Sequence, residues 1–378
     1  MNLCYPDYDR SILSTLSALT GYFGVQSAYP PLRELAPLLA TRPRHVMLLL
    51  LDGMGKFPLE GALEADSYLR AHALADVTSI FPPTTAAATT SYYCGLSAYE
   101  SGWLGWHVHM KEYACDVVAF LGSGYYTQRS VQGTLPAARL MPYTSVFEGM
   151  KGVCRTHTLY AFDSYSEHGA ELRHRVSTFE EVTRTLQSIS RADEPSFTIA
   201  YWNQPDAAMH RYGVGSPQAL AEFRALDRAL GQLSGRLRDT LLVITSDHGM
   251  IDTTQAVDVA RIPDLLEPLV LPPSIEPRCA AFYVKSHRRE AFEAAFAREC
   301  GEDFLLLSRA QVLQSGIFGR GRQHPKFDDY IGDYIGVATG TRYFSFSLPG
   351  QQQQDRLIGQ HAGLTEAEML VSVMADRM

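Results

Sequence analysis

Three short apolar runs in this chain each lead directly into metal-ligand side chains, and that placement limits the fold more than any other feature. Val46-Met47-Leu48-Leu49-Leu50-Leu51 stops at Asp52, the run over 196–202 is followed by Asp206 and His210, and the run over 240–245 is followed by Ser246-Asp247-His248-Gly249. Runs this short and this continuous read as parallel strands buried on both faces. Open α/β sheets assemble their ligands beyond the carboxyl ends of such strands. Gly359-Gln360-His361 adds a further imidazole in a glycine-flanked loop. Three aspartates and three histidines are enough hard and borderline ligand for two divalent cations. Any one Asp–His pair alone is better read as a capped turn or a satisfied core histidine. Four such segments together point to a two-metal hydrolase.

The rest of the chain supplies the alternation that such a sheet needs. A helix is expected over 7–20, strands at 45–51, 75–80, 115–121, 153–160, 196–202 and 240–245, and a small-residue helix from Thr85 to Gly95. The clearest helix, about 216–238, carries Phe223, Leu226, Leu230, Leu233 and Leu237 at steps of three and four, one apolar stripe. Strands alternating with helices predict a three-layer α/β sandwich around a mostly parallel central sheet. Beyond Gly249 the rhythm changes: a strand at 280–285, a helix at 287–299, a strand at 304–307, a short helix over 309–314 and a strand at 334–339. We read residues 1–378 as one catalytic domain with a small α/β insertion at about 262–345. Gln351 to Gln354 form the low-complexity patch, read as a solvated loop.

Composition narrows the function. The 378 residues carry a formal charge of −8, which argues against a surface for nucleic-acid polymers. A small phosphorylated substrate stays admissible because bound cations would reverse the sign locally. The six cysteines are scattered without C-x-x-C spacing, as expected of small buried side chains in a reducing compartment. No secretory leader is visible, and the longest strongly apolar run is far too short to span a bilayer. A cytoplasmic location with no membrane partner is the expectation; nothing in the composition sets an oligomeric state.

A nucleophile is also in place. Phe81-Pro82-Pro83-Thr84-Thr85 lies at a strand-to-helix junction, so a hydroxyl there meets the free N–H groups and positive end of the helix. Thr84 or Thr85 could serve; taken alone, the segment is equally a helix cap.

With these segments together, the chain resembles the alkaline phosphatase superfamily, most closely its nucleotide pyrophosphatase/phosphodiesterase branch, over roughly 44–110, 195–255 and 355–375. Tyr201, Asp206, His210 and Gly213 look like the segment for a first metal, Thr245 to Met250 like that for a second, and Gly359 with His361 like the returning ligand. The resemblance implies that Asp206, His210 and His361 hold one divalent ion. Asp52, Asp247 and His248 would hold the other, which also binds the nucleophile's oxygen. It places Thr85, with Thr84 as runner-up, as the attacking residue that becomes a phosphothreonine. The ions would be zinc, with Mn²⁺ or Fe²⁺ as alternatives. Where the family's diesterases carry an asparagine that touches a phosphoryl oxygen, this chain has Trp106, followed by His107, and both are candidate substrate contacts. No arginine of the kind that holds a doubly ionised phosphate stands in this stretch, which tilts the reading towards diesters. A phosphomonoesterase or phosphonate hydrolase is the nearest rival, and a non-catalytic metal-stabilised binding protein is the rival from another class. A sulfatase would need a Cys/Ser-x-Pro-x-Arg segment, which is absent.

Other residues are weighed and held back. Tyr92, Tyr93, Tyr99, Trp103, Trp106 and Tyr113 could form a stacking surface or simply pack around the nucleophile helix. His107 and His109 share one face of a strand and read as polar residues near the pocket mouth. Arg320, Arg322 and Lys326 could reach a distal substrate charge, and Glu366 or Glu368 could support a ligand histidine.

Overall fold

The computed structural model describes residues 2–131, 136–160, 169–348 and 357–378; the Gln351–Gln354 patch falls outside them. A seven-stranded sheet forms the centre, ordered Ala73–Thr78, Leu370–Arg377, Thr240–Thr245, His45–Leu51, Ser196–Trp202, Arg155–Tyr160, Leu172–Arg175. The strand His45–Leu51 pairs in parallel with both Ser196–Trp202 and Thr240–Thr245, so Leu51 stands opposite Trp202 and the two ends are level. The C-terminal strand Leu370–Arg377 runs against both of its neighbours. The sheet is therefore mostly parallel, as expected from the apolar runs.

Side-chain alternation along the first strand explains why its run is unbroken. Val46, Leu48 and Leu50 enter one core, while Met47, Leu49 and Leu51 enter another on the opposite face. All seven residues of His45–Leu51 are buried. The helix Pro217–Leu233 covers the second face with Phe223, Leu226, Leu230 and Leu233, capped at its start by Ser216 accepting from the Ala219 N–H. It ends at Leu233, earlier than its apolar pattern extends, because the chain turns through Gly235 at φ +75 while Leu237 stays buried beyond the helix. The N-terminal helix likewise begins later than expected, at Ile12, with Ser11 as its cap.

A second seven-stranded sheet faces the first core. Its order is Phe304–Ser308, Tyr334–Ala338, Cys279–Phe282, Ser274–Glu276, His107–Met110, Cys115–Val118, Ser123–Gly124, and its strand pairs are antiparallel. The expected insertion at 262–345 supplies four of these strands, and residues 107–124 supply three more. The join is the pairing of Ile275 with His107. Behind this sheet the helix Arg289–Cys300 buries Phe292 and Phe296 in a third apolar cluster. The two sheets thus sandwich the core containing the helix Thr85–Cys94, whose C-terminus is closed by Gly95 at φ +71.

Candidate metal and nucleophile site

The expected ligands come from separate strand ends and meet. Asp52 directly follows Leu51, Asp206 opens the helix Asp206–Tyr212 just past Trp202, and Asp247 and His248 follow Thr245 after Ser246. Asp206 N–H donates to the Asp52 carbonyl (3.0 Å), which stitches two of these ends together. Gly53, at φ +70, makes that approach possible: a Cβ there would lie 2.9 Å from the Asp206 Cβ. Gly53 N–H in turn donates to Asp247 Oδ1 (3.2 Å). Behind His248, Gly249 packs so closely that a Cβ would meet the Ala367 carbonyl oxygen at 2.0 Å.

Two groups of potential ligands form among the described residues: Asp52, Asp247 and His248, and Asp206, His248 and His361. His210 stands beside the second group, with Nε2 3.4 Å from Asp206 Oδ2 and its ring 5.1 Å from that of His361. His248 stacks on His361 at 3.8 Å, which puts it between the two groups.

The hydrogen bonds set each histidine for ligation. Nδ1 of His210 bonds to the Gly359 carbonyl (2.7 Å), Nδ1 of His248 to the Gly249 carbonyl (2.9 Å) and Nδ1 of His361 to the Pro83 carbonyl (3.1 Å). A carbonyl only accepts, so each Nδ1 carries the proton and each Nε2 keeps a free lone pair. The expectation that Glu366 or Glu368 supports a ligand histidine is corrected here, since backbone carbonyls take that part. Glu366 instead accepts from Asn2, and Glu368 accepts from Arg278, the Gly363 N–H and Thr365.

The carboxylates are arranged for a positive charge. Asp206 Oδ1 and Asp247 Oδ2 are buried and have no hydrogen-bond partner, an arrangement that costs free energy unless a ligand satisfies it. Burial, then the charges of Asp206 and Asp247, push the Asp52 carboxyl well above the usual range, against a hydrogen bond donated by Tyr201. Asp206 is raised mainly by burial. His361 is held well below the ordinary histidine value by burial and by His248 and His210, which keeps it a neutral ligand. Buried acids and imidazoles held by their Nδ1, with Nε2 left for a ligand, plus two orphaned oxygens, fit a pair of divalent cations.

Thr85 stands at the rim. Its Oγ1 lies 3.1 Å from His248 Nε2 and 3.4 Å from each Asp52 oxygen. Thr84, the residue before the helix, turns the other way and donates to Glu276 Oε1 (2.6 Å). The two candidate hydroxyls are therefore separated by the structure: Thr85 faces the ligands and Thr84 faces the second sheet.

Other expectations divide. Trp106 is 40% exposed and lies edge-on to Phe120. His107, expected at the pocket mouth as a substrate contact, is instead buried and stacked on Tyr125 at 3.7 Å, because residue 107 pairs into the second sheet. His109 bonds to Asp116. Tyr92, Tyr93 and Trp103 are core residues, and Tyr92 donates to the Ser246 carbonyl beside the ligands. Arg320 pairs with Asp9 and Lys326 with Glu112, so neither is free to meet a substrate; Arg322 is exposed. Two residues passed over in the sequence are Glu276 and Arg278. A buried acid at a strand end, or an arginine in the turn after it, is a signal, but its partners lie too far away in sequence to be read.

Human bis(5'-adenosyl)-triphosphatase ENPP4 is 28% identical over 101 residues, 25% of this chain and 22% of that protein. Human ectonucleotide pyrophosphatase/phosphodiesterase family member 7 is 36% identical over 72 residues, 18% of this chain and 16% of that protein. The matched stretches thus span about a fifth of these relatives' length. In fold, the chain is similar to murine ectonucleotide pyrophosphatase/phosphodiesterase 5 (TM-score 0.65, 16% identity, 87% of each chain). It is also similar to phosphonoacetate hydrolase from Sinorhizobium meliloti 1021 (TM-score 0.63, 16% identity, 89% of this chain and 90% of that one). Residues 46–305 match the family described as type I phosphodiesterase / nucleotide pyrophosphatase, and the chain belongs to that family.

Proposed function

We propose that this protein is a metal-dependent hydrolase of phosphoric diesters, a phosphodiesterase or nucleotide pyrophosphatase, that works through a phosphothreonine at Thr85. The observation that carries the reading is the position of Thr85 Oγ1, 3.1 Å from His248 Nε2 and 3.4 Å from both Asp52 oxygens, at the start of a helix. Asp206, His210 and His361 would hold one cation, and Asp52, Asp247 and His248 the other. A histidine-rich donor set favours zinc. When bound, the cations supply Lewis-acid neutralisation of charge on the nucleophile and the phosphoryl oxygens.

The protein's own groups do the rest. Thr85 gives up its proton and its oxygen bonds to phosphorus as the ester oxygen departs with a proton; water then cleaves the phosphothreonine. The helix start behind Thr85 favours the anionic phosphoryl group. Trp106 and Phe120 offer an apolar surface for the leaving group, which suits a nucleobase or aryl ester. The murine relative was captured with AMP in a form whose threonine is replaced by alanine and which is described as inactive, in keeping with a threonine nucleophile and a small nucleotide.

A monoesterase or phosphonate hydrolase is the second reading, favoured by the fold shared with phosphonoacetate hydrolase. Against it, the buried Arg278 close to His361 is fully committed to Glu368 and two carbonyls and is not free to hold a dianion. Six unpaired thiols suit a reducing compartment, and we place the protein in the cytoplasm on that ground. Among the described residues no helix is long and apolar enough to cross a membrane.

The test is turnover of bis-(p-nitrophenyl) phosphate and p-nitrophenyl phosphate with and without chelator. Diester preference abolished by chelator is expected. Monoester preference moves the protein to the second reading, and no turnover of either favours a non-catalytic binding protein. Thr85→Ala should abolish turnover and leave metal content intact; unchanged turnover refutes the covalent route through Thr85.

A further inference from the structure

A buried carboxyl joins the nucleophile helix to the second sheet. Glu276 ends the strand Ser274–Glu276 and is 7% exposed. Its Oε1 accepts twice, from Thr84 Oγ1 at 2.6 Å and from the Trp106 N–H at 2.7 Å. The backbone is shaped for this meeting. Gly105 lies so close that a Cβ there would stand 2.9 Å from the Ile275 carbonyl oxygen and 3.0 Å from Glu276 Cγ. Ile275 itself holds φ +85, a conformation that β-branched residues rarely adopt.

What Glu276 does to Thr84 bears on the chemistry. Thr84 is the N-cap of the helix that begins at Thr85, with extended backbone angles (φ −143, ψ 146). In that conformation a threonine oxygen ordinarily turns back to accept from the second or third helical N–H. Here no side chain caps the helix, because the Thr84 hydroxyl is drawn to Glu276.

We propose that Glu276 is a positioning residue that keeps the Thr84 hydroxyl off the helix start, so that the N–H groups next to Thr85 stay open to a phosphoryl oxygen. With the same carboxyl oxygen it fixes the Trp106 backbone at the edge of the cleft. The inference rests on Thr85 being the attacking residue. Burial also raises the Glu276 carboxyl to about 7, an effect reduced by its two hydrogen bonds and by His248, so near neutrality it places less negative charge beside an anionic substrate than an exposed glutamate would.

The test is a double-mutant cycle on the metal-loaded enzyme with bis-(p-nitrophenyl) phosphate. Glu276→Ala should lower kcat about 100-fold, the lower end of what the loss of one donor to a developing oxyanion costs, with metal content unchanged. Adding Thr84→Val to Glu276→Ala removes the hydroxyl that would fall onto the helix and should recover kcat at least about 5-fold, a coupling opposite in sign to two additive losses. Glu276→Gln keeps an accepting oxygen and should retain several times the kcat of Glu276→Ala. Additive or deeper loss in the double variant, or Glu276→Gln as impaired as Glu276→Ala, overturns the proposal. If Glu276→Ala does not fold, the apolar and similarly sized Glu276→Met carries the same comparison with and without Thr84→Val. Failure of the underlying reading shows separately, as turnover that survives in Thr85→Ala.

Discussion

At the ends of the central strands, Asp206 and Asp247 each keep a buried oxygen without a partner, and Asp52 is crowded by both. In the second sheet, Arg278 is equally buried yet fully used: it meets both oxygens of Glu368 at 2.6 and 2.8 Å and donates to the carbonyls of Arg342 and Gly340. Both regions bury ionisable side chains, but only one leaves them unmatched. Unmatched buried charge is tolerated where a ligand of opposite sign is to bind, and matched buried charge holds the surroundings in place. The strand ends are thus the binding floor, and the second sheet is its fixed wall.

The largest effect should come from unmatching the wall. Glu368 supports two ligand loops at once: its side chain accepts from Gly363 and Thr365 beyond His361, and its carbonyl accepts from the Gly249 N–H beyond His248. Arg278→Met leaves that carboxylate buried without its cation and should destabilise the protein by about 3–5 kcal/mol in chemical denaturation, the range for breaking a buried pair. Metal affinity should fall with it, because the loops carrying His361 and His248 lean on the same glutamate. A loss within about 0.5 kcal/mol, the scale of an ordinary surface change, would mean that the wall is no more rigid than the exterior.

The same contrast explains what could be read in advance. Asp52, Asp206, Asp247 and His248 were legible because each follows an apolar run within a few residues, so the strand itself points to them. The parallel central sheet was legible for the same reason, since its runs are buried on both faces. The wall was not, because its partners are joined only by tertiary structure: Glu276 lies 192 residues from Thr84, and Arg278 lies 90 from Glu368. The carbonyls of Pro83, Gly249 and Gly359 that set the histidine tautomers have no side-chain signature at all. His107, read from the sequence as a polar residue near the pocket mouth, is turned inward by the strand, against Tyr125.

A smaller effect should appear on the floor, with its sign reversed by metal. In protein stripped by chelator, burial and two neighbouring carboxylates disfavour the charged form of Asp52, so folding must either bury that charge or take up a proton there. Asp52→Asn removes that cost while keeping an oxygen for Tyr201, and should stabilise the stripped protein by about 1–3 kcal/mol, the scale of burying a polar group without full compensation. In the metal-loaded protein the same variant should be the less stable of the two, because a ligand is lost. Paired thermal melts with and without chelator read both signs. If Asp52→Asn destabilises both forms alike, the floor is not held under electrostatic stress.

The smallest effect concerns a charge that the wall excludes. Burial lowers His107 to about 4, with Asp116 and a hydrogen bond to the Pro273 backbone opposing the shift in part. The unfolded chain takes up a proton near the ordinary histidine value of 6.5, whereas the folded protein resists it until about pH 4. Between those values the unfolded state binds more protons, so stability is full above the upper one and drains away as pH falls towards the lower. At about pH 5.5 the loss assignable to His107 should be about 1 kcal/mol, one unit below its unperturbed value. His107→Phe keeps a flat ring against Tyr125 but cannot titrate, so its melting temperature should fall less steeply over this interval than that of the parent. Parallel pH profiles for the two proteins would place the acid-sensitive charge elsewhere and return His107 to the matched side of the comparison.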